Sequence, residues 1–169
     1  MSALSELSAA IRARRSDMGL TQTALAKFSR LSRATINQVE SGSIKDLSIN
    51  RTTKLLEVLG LSLTISAARS RSREPKAPKT PALDIAARTA SVSYRQMLTG
   101  EVLRSAVLTG NIPTGFQPHV NTLLEDASVS LLAAVVEQIH MSSGIERVHL
   151  WAQLRELARQ LGSRRDIWQ

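Results

Sequence analysis

The stretch SRATINQVE, Ser32 to Glu40, crowds hydrogen-bonding side chains onto two helical turns and leaves only Ile36 and Val39, three apart, to hold those turns down. With these two packed inward, Arg33, Ala34, Asn37 and Gln38 project along the outer side, and Ser32 stands at the start. Each type suits a base edge: Arg bonds guanine with two parallel N–H groups, Asn and Gln bond adenine, and Ala touches a thymine methyl. Upstream, Thr21 and Gln22 open another helical pattern, where a helix N-terminus with unpaired amides can grip a phosphate. The chemistry implied is the reading of double-stranded DNA.

Other chemistry is poorly provided for. The chain has no Cys, which leaves no thiolate metal site, disulfide framework or Cys nucleophile. His119, His140 and His149 show no i, i+4 pairing with a neighbouring carboxylate ligand. Glu125 and Asp126 adjoin, so a helix would point them to different faces. Phosphate loop, Gly-rich dinucleotide turn and nucleophile elbow are all missing. The expectation is a protein that is not an enzyme and uses no cofactor or metal.

Short helices must position the reading residues. Leu4, Leu7, Ile11 and Met18 mark one face of a first helix, which Gly19 ends. Thr21 caps a second, from Gln22 to about Ser29, anchored by Leu25 and Phe28. Ser32 caps the third, Arg33 to Glu40, which stops before Ser41-Gly42. A fourth, about Ile49 to Leu59, turns Leu55, Leu56 and Leu59 inward and closes at Gly60. The period then changes: LSLTIS alternates Leu61, Leu63 and Ile65 against Ser62, Thr64 and Ser66, as in a half-buried strand. A lone strand cannot satisfy its backbone, so antiparallel pairing with a second copy across a two-fold axis predicts a homodimer. The alternative is an extended tail lying over its own helices.

The fold class expected is mainly α: an N-terminal helical bundle with a short dimer-pairing strand (1–66), a basic Pro-rich linker (67–82) and a C-terminal helical domain (83–169). The chain is 169 residues long with a formal charge of +8, and the charge is unevenly placed. Residues 1–73 hold 12 Lys and Arg against 5 Asp and Glu, whereas 74–169 hold 10 against 9. The excess on the first part suits a polyanion. AARSRSREPKAPKTPA cannot build a core. Beyond it, helices are predicted at Leu83–Leu98 (with a break), Thr99–Leu108, Gln117–Asp126, Val129–Met141 and Glu146–Leu161, with a final turn near Asp166. LLAAVVEQI is apolar nearly all round, as befits the central helix of a small bundle. Trp151 is expected in the core; Trp168 is open to either a core or a partner-anchoring role.

Residues 5–66 resemble the Xre/Cro-like helix-turn-helix family. The matching pieces are Arg12 and Arg15, then Leu20-Thr21-Gln22 with Leu25-Ala26, then Ser32, Thr35-Ile36, Glu40 and Gly42. The resemblance implies a four- or five-helix DNA-binding domain acting as a dimer on operator half-sites. It implies base contacts from Ser32, Arg33, Ala34, Asn37 and Gln38, and phosphate contacts from Thr21, Gln22 and Thr35. It also implies an ion pair between Arg15 and Glu40. One departure is Arg30, where the family's turn usually has Gly; a left-handed Arg costs about 1 kcal/mol.

LLEVLGLSLTIS is further similar to the end of the HipB-type antitoxins, whose last helix runs into a strand that pairs across the dimer. That likeness implies a repressor of its own operon that neutralises a toxin through residues 83–169. By analogy the toxin would be a HipA-like kinase or an AbiEii-like nucleotidyltransferase. The alternative is a stand-alone regulator whose C-terminal domain binds a small-molecule effector or mediates oligomerisation. The N-terminus does not read as a signal peptide, and no apolar run approaches the roughly 20 residues of a membrane span. The expected location is the cytoplasm.

Overall fold

The computed structural model describes residues 3–64 and 80–168, and every regular element among them is helical. Four helices form the first group: α1 (Ala3–Asp17), α2 (Gln22–Ser29), α3 (Arg33–Glu40) and α4 (Ile49–Val58). Five form the second: α5 (Ala82–Ser91), α6 (Gly100–Thr109), α7 (Gln117–Asp126), α8 (Val129–Ser143) and α9 (Arg147–Gln160). A 3₁₀ turn, Asp166–Trp168, follows. Most of the expected 67–82 linker lies outside the described residues, although Ala82 already begins α5.

Local chemistry sets the ends of these helices. Thr21, Ser32, Thr99 and Ser128 each cap a helix by accepting from the amide three residues on. Such a cap stabilises a helix by about 1 kcal/mol. The break in the predicted 83–98 segment falls after Ser91. The Ser91 hydroxyl donates to the Ala87 carbonyl (2.7 Å) and accepts from the Leu98 amide (2.8 Å), which folds the intervening turn back on α5.

No strand is assigned at Leu61–Thr64 in the single chain, and the expected strand is not supported among the described residues. Leu61–Thr64 pair with no ladder partner among the described residues, and Ile65 lies outside them. The physical reason is visible at its first residue: the Leu61 amide returns to the Leu56 carbonyl (2.8 Å), which completes the end of α4 and removes a donor from any ladder. Leu61 packs partly against the core, while Leu63 is 52% exposed. In the single chain this stretch is a half-covered connection.

In the first group, α2 packs on α3 and α4, and α1 on α3, around Ile11, Leu25, Ile36, Val39 and Leu55. The second group packs α5 against α6, α7 and α8, and α9 against α6 and α8. Its centre is α8, which buries Leu132, Ala133, Val135, Val136 and Ile139. Both tryptophans are core residues: their ring centroids lie 6.3 Å apart, and the Trp168 indole donates to the Leu124 carbonyl (3.0 Å). The two groups touch where α9 meets α1 and α8 meets α4, and their buried apolar residues form one continuous cluster.

Candidate nucleic-acid interface

The α2–turn–α3 unit is held from both sides. Leu25 and Ala26 bury one face of α2, and Ile36 and Val39 that of α3, with Ile36 fully enclosed. Between them Arg30 takes the left-handed conformation (φ 55°, ψ 38°), and the Leu31 amide bonds the Ala26 carbonyl (3.0 Å) to close α2. Arg30 is the one non-Gly residue with positive φ among the described residues. The turn thus keeps the geometry that Gly would favour, at the cost expected for Arg.

Opposite the buried face of α3, Arg33, Ala34, Asn37 and Gln38 are exposed and line one shallow depression. Ser32 is exposed but partly occupied. Its hydroxyl accepts from the Thr35 amide (3.0 Å) and lies 2.8 Å from the Thr35 hydroxyl. Ser32 and Thr35 therefore act first as the cap of α3. The Ser32 hydroxyl retains capacity for one more bond and that of Thr35 for two. Thr21 is similarly the cap of α2, accepting from the Ala24 amide (3.0 Å), and leaves the first amides of α2 open to a phosphate.

Behind this surface sits an ionic hub. Arg15 donates from Nε to Glu40 Oε1 (2.5 Å) and from Nη2 to Glu40 Oε2 (3.1 Å), a two-point pair. Its remaining Nη1 donates to the Leu20 carbonyl (2.7 Å). Gln22 Nε2 donates to the same carboxylate (2.9 Å), so the Gln22 side chain is turned towards Glu40 as well as standing at the start of α2. Burial pushes the Glu40 carboxyl up, but the bonds from Arg15 and Gln22, with the charges of Arg15 and Arg12, hold it below its ordinary value. One carboxylate thereby ties α1, α2 and α3 together.

Several neighbours were not anticipated. Arg12 is exposed on α1 and borders a depression with Gln22 and Asn37. On the opposite side, Lys45 and Arg51 border another with Thr35 and Gln38. Cations thus border the depressions next to the exposed face of α3. The signal in the sequence was the basic excess of the first 73 residues, which does not say which cations share a face.

A sequence model of the helix-turn-helix family matches residues 11–65. No curated protein and no solved structure matches the chain. Among the described residues no helix is long and apolar enough to cross a membrane. The matched span contains the ionic hub, both caps and the exposed face of α3. This match supports a helix-turn-helix unit at residues 11–65 and, with it, a DNA-binding regulator of transcription.

Proposed function

We propose that the protein is a sequence-specific repressor that binds operator half-sites as a homodimer and represses its own operon. Arg33, Ala34, Asn37 and Gln38 read bases, while Ser32, Thr35, Thr21 and Gln22 set the helix ends that meet the backbone. The observation that carries this reading is the exposed polar face of α3, backed by a fully buried apolar face on the same two turns. The reading assigns the protein no catalysis.

Within that function, the C-terminal helices serve as the seat of a protein partner, and the antitoxin role gives that partner an identity: a toxin encoded beside it. Exposed apolar side chains on these helices are surface that such a partner would cover. Val92 is 84% exposed and Met141 76%, and Ile85, Met97 and Val148 are also open on the same group of helices. Co-expression with each adjacent gene product, followed by size-exclusion chromatography with light scattering, tests this. A stable complex with a neighbour that arrests growth when expressed alone is the expected result. If no neighbour binds and none is toxic, the antitoxin role is wrong, and the protein is a repressor without that partner.

A further inference from the structure

The C-terminal helices meet the DNA-binding unit at two narrow points. At the first, the Arg155 guanidinium of α9 donates to the Met18 carbonyl (2.5 Å), across 137 positions of sequence. That carbonyl lies in the turn just past the end of α1, immediately before Gly19. A Cβ at Gly19 would lie 2.8 Å from Arg155 Nη2, so the guanidinium occupies the space that the glycine leaves. At the second, the turn after α4 abuts the start of α8. A Cβ at Gly60 would lie 2.9 Å from the Val129 backbone.

Charge complements fit at the first point. Arg147 donates to Glu137 through two bonds of 2.7 Å each. Arg14 of α1 adds to the forces favouring the ionised Glu137, and Asp17 to those favouring the charged Arg147.

The grip lands beside the reading machinery. Leu20, two residues after Met18, has its carbonyl held by Arg15, and Thr21 then caps α2. The Met18–Thr21 turn is thus clamped from α9 on one side and from the Arg15–Glu40 hub on the other. Specific binding needs the phosphate grip at α2 and the base contacts of α3 satisfied at once. That requires their relative position to be fixed to a fraction of an ångström.

We infer that Arg155 is a positioning residue for DNA recognition: by tying α9 to the end of α1 it sets how α2 and α3 are presented, so that the docked C-terminal helices govern operator preference. The inference rests on the assignment of α3 as the reading helix. It also provides a route by which a partner on the C-terminal helices alters DNA binding, through this contact.

The test uses the full chain and two probes: a duplex enriched from a random-sequence library by the wild-type protein, and a scrambled duplex of the same length. Arg155→Ala should bind the enriched duplex about 10-fold more weakly, the range expected of coupling between sites. Its affinity for the scrambled duplex and the slope of affinity against salt should not change. Amides of Gly19–Gln22 should exchange hydrogen faster. Enriched-duplex affinity within twofold of wild type overturns the inference. So does equal weakening on both duplexes with a slope reduced by about 0.9, which marks a direct phosphate contact. If Arg155→Ala does not fold, Arg155→Gln is judged by the same criteria. Arg33→Ala, measured alongside, separates the two assignments: if it keeps full preference for the enriched duplex, the reading-helix assignment fails and the inference falls with it.

Discussion

Helices α3 and α8 are both apolar on the side that packs, yet only one declares its purpose. On α3 two residues, Ile36 and Val39, suffice for anchorage, and the exposed positions carry Arg, Asn and Gln. On α8 five of the fifteen residues are buried hydrophobics and the rest of the surface is mixed. A helix that spends few positions on packing frees the others for recognition, so its outward side chains speak of function. A helix that fills a bundle speaks chiefly of stability.

Four substitutions or conditions sharpen that contrast. Leu132→Ala, in the centre of α8, should cost about 3 kcal/mol in denaturant unfolding, because Leu132 is fully buried and leaves a cavity. A loss below 1 kcal/mol would mean that α8 is not the centre of the second group. Arg15→Met comes next. The Glu40 side chain is only 4% exposed, and losing its two-point partner should cost about 2–3 kcal/mol, since a buried charge is left with Gln22 alone. A variant as stable as wild type would show that the hub contributes nothing.

The pH dependence of the hub follows from its sign. Glu40 is held below its ordinary value of 4.5, so its stabilising effect is complete above pH 4.5 and disappears as pH falls through the depressed value. Wild type should therefore exceed Glu40→Gln in stability most clearly near neutrality, and the gap should close on acidification. A constant gap down to strongly acidic pH would contradict this. The smallest effect belongs to Arg30→Gly, which should raise stability by about 0.5 kcal/mol by relieving the left-handed Arg, partly offset by the freer unfolded chain. Differential scanning calorimetry should show a small upward shift, and a fall would mean that the Arg30 side chain contributes a contact of its own.

Much of this was legible because the governing interactions are local. Thr21 and Ser32 announced two helix starts, and Gly19, Gly42 and Gly60 marked ends. Leu25, Ile36, Val39, Leu55 and Leu56 carried the helical period, and all five are buried. Alternation at Leu61–Thr64 has no counterpart in a strand of the single chain, since period 2 alone does not separate a strand from a connection covered on one side. Long-range contacts were not legible at all. Nothing near Arg155 in the chain points to Met18, and nothing near Gly60 points to Val129, because such pairings arise only when two helix groups dock. At the candidate site, the outward face of α3 was readable from spacing. The turning of Gln22 towards Glu40 and the flanking of α3 by Arg12, Lys45 and Arg51 required the fold.

The outward face of α3 is proposed to read bases. The most direct test is a titration of Asn37→Ala against the enriched and scrambled duplexes at fixed salt. Asn37 is exposed on that face and makes no side-chain bond that the fold depends on, so folding should be preserved. Binding to the enriched duplex should weaken about 10-fold, in line with the loss of one base contact, and binding to the scrambled one should not change. Equal affinity of variant and wild type for the enriched duplex, or an equal loss on both, would contradict this reading.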